Sequence, residues 1–136
     1  MTAAARKQLL LVDPHSLFRR TVALVARQLD VADVAEAVSL EAARHRLEQE
    51  RFDALLLDIG DGVESLALMQ SLRAGQLRSA RDLPVALMAE QVDPATIELF
   101  KPLGLARIML KPFKVKTALE VVSQLAMRPG YAAGPH

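Results

Sequence analysis

The sequence predicts an α/β domain organised around a five-stranded parallel sheet, and three observations carry that prediction. Short unbroken apolar runs recur along the chain, each run stops at polar or turn-forming residues, and the stretches between them repeat apolar residues at helical spacing. Strands buried on both faces, alternating with amphipathic helices, are what right-handed β-α-β crossovers require.

Leu9-Leu10-Leu11-Val12 is the first such run, and it stops at Asp13-Pro14. Ser16 is placed to cap the helix that follows, in which Phe18, Val22, Val25 and Leu29 make an apolar stripe among Arg19, Arg20 and Arg27. Val31 to Ala37 reads as a second, weaker strand, followed by a helix from Leu40 through Ala43 and Leu47 whose polar end, Arg44 to Arg51, is expected to be solvated. Ala54-Leu55-Leu56-Leu57 repeats the first run and ends on Asp58. Gly60-Asp61-Gly62 is a turn signal, after which Val63, Leu66, Met69 and Leu72 line one side of a third helix. Ala74 to Asp82 reads as a polar linker, and Pro84 opens a fourth strand, Val85 to Met88. Asp93-Pro94 is a helix start and Pro102 with Gly104 a helix end. Ala106 to Leu110 is the fifth strand, closed by Lys111-Pro112, and Val115, Ala118, Leu119, Val122 and Leu125 form the apolar face of a last helix. The chain divides into an N-terminal tail (1–7), one domain (8–128) and a C-terminal tail (129–136) rich in glycine, proline and alanine and expected to be flexible.

Bulk composition narrows the function. The chain has 136 residues, and lysine plus arginine exceeds aspartate plus glutamate by 17 to 16 with no long run of either sign, so neither nucleic acid nor a membrane surface is indicated as a partner. The absence of cysteine excludes disulfides, thiolate metal sites and cysteine nucleophiles. The three histidines, His15, His45 and His136, have no ligand-type spacing, and His15 reads as a solvent-side residue at a helix start. The apolar run near the N-terminus is too short for a signal peptide or a membrane span, which makes the cytoplasm the expected compartment.

In open α/β sheets, ligands bind outside the carboxyl ends of the strands, at the point where strand order switches. Asp13, Asp58 and Lys111 fall at the ends of strands one, three and five, which points to a shared site. The segments Leu10-Leu11-Val12-Asp13, Leu55-Leu56-Leu57-Asp58-Ile59, Leu83-Pro84-Val85 and Leu110-Lys111-Pro112-Phe113 resemble the receiver domains of bacterial response regulators, in order and spacing, over about residues 8 to 127. That resemblance implies the flavodoxin-like (βα)5 doubly wound fold with strand order 2-1-3-4-5. It also implies Asp58 as the phosphoacceptor and Mg2+ held by Asp13, Asp58 and the carbonyl of Gly60. Lys111 would pair with the phosphoryl oxygens and precede a cis proline.

Several positions depart from the family pattern. The position after Asp13 is usually a second metal-binding acid and here is Pro14, so Asp13, Asp58 and Lys111 leave a net charge of minus one, one unit short of balancing a divalent ion. Weakened Mg2+ binding is expected. The Ser or Thr that normally ends strand four aligns with Ala89, and the aromatic residue three before the lysine aligns with Ile108, so both usual switch side chains are missing. The loop after Asp58 is about four residues shorter than is usual. Asp61 reads first as an Asp-Gly turn residue, and as the nearest acid it is also the candidate to restore the lost charge.

The leading expectation is a stand-alone receiver in a two-component phosphorelay with a weakened switch, taking its phosphoryl group from a sensor histidine kinase or phosphotransfer protein. It would signal by protein contact through helix four, strand five and helix five, with a second copy of the chain as a further candidate partner. The alternative is a receiver-like interaction module that works without phosphorylation. An enzyme is not expected: a haloacid-dehalogenase-type phosphatase needs a second acid two residues after its nucleophile, and that position is Gly60.

Overall fold

The structure, a computed structural model, describes residues 6–127 except 61 and 92. Most of the two predicted tails therefore lies outside the described residues. The elements run β1 (Gln8–Val12), α1 (Ser16–Gln28), β2 (Asp33–Ala37), α2 (Leu40–Gln49), β3 (Ala54–Asp58), α3 (Val63–Arg73), β4 (Val85–Ala89), α4 (Pro94–Phe100), a short 3-10 turn (Lys101–Leu103), β5 (Arg107–Leu110) and α5 (Val115–Met127).

All strand pairs are parallel, in the order β2-β1-β3-β4-β5, with Leu10 opposite both Ala35 and Leu55, Asp58 opposite Met88, and Ala89 opposite Leu110. This is the flavodoxin-like order, and the central strands are apolar throughout because they are covered on both faces. Alternate residues feed two cores. Leu10, Leu55 and Leu57 pack toward Leu47, Leu68 and Phe100, whereas Leu9, Leu11 and Leu56 pack toward Val22, Val122 and Leu125. With hydrophobic side chains directing both faces inward, the strand ends are the places left for charge.

Local details depart from the sequence reading in four places. Helix α1 is capped at His15, not at Ser16, and no side chain bonds its free amides in the usual way; the carboxylate of Asp13 instead accepts the His15 amide at 2.8 Å. Strand β2 starts only at Asp33, because Asp30 adopts a positive φ of 58° and Val31 and Ala32 belong to the turn it creates. On α3 the buried side is Ser65, Leu68, Met69 and Leu72, and Val63 points outward at 73% exposure. The segment before β4 is less solvated than its composition implies. Ser79 is buried there, its hydroxyl donating to the carbonyl of Glu50 at 2.7 Å and accepting the amide of Phe52 at 3.1 Å.

Candidate functional site

Three strand ends converge on one point. Asp13 continues β1, its amide still bonded to the carbonyl of Ala37 at 3.1 Å, so its side chain leaves the sheet at the carboxyl edge and is fully buried. Asp58 ends β3, and Lys111 follows β5 with its amide held by the carbonyl of Ala89 at 2.7 Å. The Lys111 ammonium lies 2.7 Å from Asp13 Oδ2 and 2.5 Å from Asp58 Oδ2. A chain separation of 53 residues between Asp58 and Lys111 is closed by the sheet alone. The bond from Lys111 to Pro112 is cis, in keeping with the resemblance.

Each charge has further partners. The second oxygen of Asp58 accepts the amide of Gly60 at 2.9 Å, in a turn where Gly60 has φ 57°. Arg19, itself buried, donates from Nη1 to the backbone carbonyl of Asp13 at 2.8 Å and from Nε to Glu36 at 3.1 Å, which anchors the β1 exit against β2. Burial alone would disfavour the Lys111 charge, but the hydrogen bonds and charges of Asp13 and Asp58 outweigh it and hold the ammonium above its ordinary 10.5. Its nitrogen also stands 5.7 Å from the centre of the Phe18 ring, which packs edge-on against Phe113. Among the described residues, no buried side-chain polar atom lacks a partner.

Of the other residues singled out in the sequence, Pro14 is exposed and lines an open cleft with Asp58 and Gly60. Ala89 is buried at the end of β4 and Ile108 is half-buried in β5 against the same core. Asp61 lies outside the described residues, so its relation to the site is an expectation only. The sequence reading missed three neighbours: Arg19, Glu90, which lines the cleft, and above all His15. The His15 ring is 57% exposed, as a solvent-side residue should be, yet Nδ1 lies 2.9 Å from Asp13 Oδ1 and 3.2 Å from Lys111 Nζ. Protonated, that nitrogen donates to the carboxylate; unprotonated, it accepts from the ammonium. Asp13, His15 and Asp58 each offer a ligand atom within 4.8 Å of the others. Their spacing of two residues, Asp13 to His15, was the available signal: in extended backbone such residues share a side.

A buried acid, an acid at the adjacent strand end and a lysine following β5 meet at the carboxyl edge of a doubly wound sheet, where such folds place their ligand sites. The profile of the response regulator receiver domain matches residues 9–123, and the chain belongs to that family. A comparison with curated proteins gives no match. Among solved structures, the chain is similar to a response regulator from Thermotoga maritima, with 25% identity over 90% of this chain and 99% of that one, at a TM-score of 0.73. It is also similar to a response regulator receiver protein from Pseudomonas putida, with 25% identity over 90% and 99% of the two chains and a TM-score of 0.74. The chemotaxis protein CheY4 of Vibrio cholerae shares the fold at 20% identity over 89% and 99% of the chains, with a TM-score of 0.74. Receiver domains are signalling modules that bind Mg2+ at an acidic site and meet histidine kinases or phosphotransfer proteins. Here the two carboxylates suit that hard ion and the imidazole beside them does not. No helix among the described residues is long and apolar enough to cross a membrane.

Proposed function

We propose that this chain is a cytoplasmic phosphorelay receiver with Asp58 as its phosphoacceptor and a weakened conformational switch. The observation that carries the reading is the Lys111 ammonium held between Asp13 and Asp58 at a solvent-facing cleft. An oxygen of Asp58 attacks phosphorus in line as the bond from phosphorus to the donor, a phosphohistidine nitrogen or an acyl phosphate oxygen, breaks toward the leaving group. Lys111 turns from the carboxylates to the new phosphoryl oxygens and neutralises their charge. Asp13, Asp58 and the Gly60 carbonyl are the residues that would hold magnesium, which when bound supplies further neutralisation. With Pro14 in place of an acid, that binding is weak.

The switch is weakened because Ala89 has no hydroxyl to move onto the phosphoryl group and Ile108 has no ring to reorient. Output passes through the face of α4, β5 and α5, where Leu99 and Leu110 are 58% and 55% exposed, to a downstream protein or to a second copy of the chain. One observation favours a second reading, an interaction module independent of phosphorylation: the two usual switch positions hold Ala89, buried at the end of β4, and Ile108, packed against the same core. Intact-mass analysis after incubation with acetyl phosphate and Mg2+ separates the two. A slow single phosphoryl adduct, lost in Asp58→Asn, is expected. An adduct that forms as readily on the variant contradicts the assignment, and an unmodified parent favours the second reading.

A further inference from the structure

We propose that His15 joins Asp13 and Asp58 in a site for a divalent transition ion that accepts imidazole, of the zinc or cobalt(II) type, in preference to magnesium. The inference rests on reading the Asp13–Asp58 pair as a cation site, and it does not require phosphoryl transfer.

A cation already stands where the ion would sit. Lys111 Nζ lies 2.7 Å from Asp13 Oδ2, 2.5 Å from Asp58 Oδ2 and 3.2 Å from His15 Nδ1, so the same three side chains surround one positive charge. The ammonium is a stand-in ion with two oxygen neighbours and one nitrogen neighbour. Transition ions bind nitrogen and oxygen at about 2.1 Å, so the three groups need to close by roughly an ångström or less around a metal at that point. The exposed imidazole of His15 has room to do so, and Lys111 has the open cleft lined by Asp58 and Glu90 to move into.

The backbone brings the ligands to one side. His15 is extended, with φ −83° and ψ 102°, and its Nδ1 lies 2.9 Å from Asp13 Oδ1, so residues 13 and 15 face the same point. Pro14, between them, contributes no ligand. The donor set is thus two carboxylates and one imidazole, whose charge of minus two balances a divalent ion once Lys111 has left. Magnesium requires nearly all of its ligands to be oxygen and gains little from His15, whereas zinc, cobalt and nickel gain a full ligand.

Sites that include an imidazole generally hold transition ions more tightly than magnesium, so the order of affinities alone decides nothing. The test is dependence on His15. Co2+ binding to the full chain is followed by visible absorption, with Zn2+ competition, and Mg2+ binding is measured by calorimetry. The parent is compared with His15→Gln, which keeps a polar side chain but no imidazole, and with Asp13→Asn; thermal unfolding checks that each folds. Co2+ and Zn2+ affinity is expected to fall by about tenfold or more in His15→Gln while Mg2+ affinity stays within about twofold, and both are expected to fall in Asp13→Asn. Unchanged Co2+ binding in His15→Gln, including binding held at His45 or His136, overturns the inference. That failure is separable from failure of the functional reading: Asp58 labelling by acetyl phosphate with no role for His15 removes the metal site alone, and His15-dependent Co2+ binding without labelling removes the phosphoacceptor alone.

Discussion

Replacing Lys111 by methionine removes the ammonium that bridges two carboxylates and leaves a side chain of similar length. Both acceptor oxygens lie within 2.7 Å of the same nitrogen, and the side chains of Lys111, Asp13 and Asp58 are 13%, 0% and 11% exposed. Two unit charges about 5 Å apart at an effective dielectric constant of about 20 repel by about 3 kcal/mol. Removal of one partner from a buried pair costs a similar amount, about 3–5 kcal/mol. A loss of about 3 kcal/mol is therefore expected for Lys111→Met. At a urea dependence of about 2 kcal/mol per molar, the unfolding midpoint falls by about 1.5 M with its slope unchanged. The same substitution in an Asp58→Asn background leaves one carboxylate with nothing to repel, so the loss there should be less than half as large. Equal losses in the two backgrounds would show that the Lys111 ammonium stabilises through its place over the Phe18 ring, 5.7 Å from the centre, and not by separating the two acids.

Two further outcomes concern the titration of Lys111 and the fork of Arg73. Lys111 keeps its proton more tightly in the fold than in the unfolded chain, so its contribution is complete below about 10.5 and is lost as pH rises through the higher folded value. The parent's advantage over Lys111→Met in urea unfolding should shrink above that pH; an advantage constant through the alkaline range contradicts it. Arg73, at the end of α3, donates to the carbonyls of Leu103, Gly104, Arg81 and Leu83 at 2.6 to 2.9 Å, tying together the entries to β4 and β5. Arg73→Met should cost about 3 kcal/mol and Arg73→Lys should restore less than half of it, because one ammonium cannot span four acceptors; full rescue by lysine, read from urea midpoints, would refute the role of the planar fork.

The parts of the structure legible in the sequence are those set by a single strong signal. Leu9 to Val12 and Ala54 to Leu57 are apolar at every position because both faces of the sheet are covered, and the acids that end them had to leave the core at its carboxyl edge. The pattern on α3 was ambiguous, since Val63, Leu66, Met69 and Leu72 share a helical spacing with the true buried set and only the angle of entry at Gly62 decides between them. Ser79 was hidden for a different reason. Its burial depends on carbonyl and amide groups near Glu50 and Phe52, more than two dozen residues away, which local composition does not encode. The same holds for His15, whose neighbourhood is made by Lys111 arriving from β5 at a separation of 96 residues. Spacing along the chain placed Asp13, Asp58 and Lys111 at one edge; side-chain geometry was needed to add the imidazole.

The claim most central to this account is that a phosphoryl group at Asp58 has little to pull on. A ligand shifts an equilibrium only by its differential affinity for the two states, and on the proposed reading a methyl at Ala89 and an aliphatic chain at Ile108 offer less differential contact than a hydroxyl and an aromatic ring would. Backbone amide NMR shifts with and without beryllofluoride and Mg2+ measure this directly. Changes are expected at Asp13, Asp58, Gly60 and Lys111, with α4 and β5 close to their unliganded positions. Large shifts spread through residues 93 to 110 would contradict the account and show that a switch operates through side chains other than those at 89 and 108.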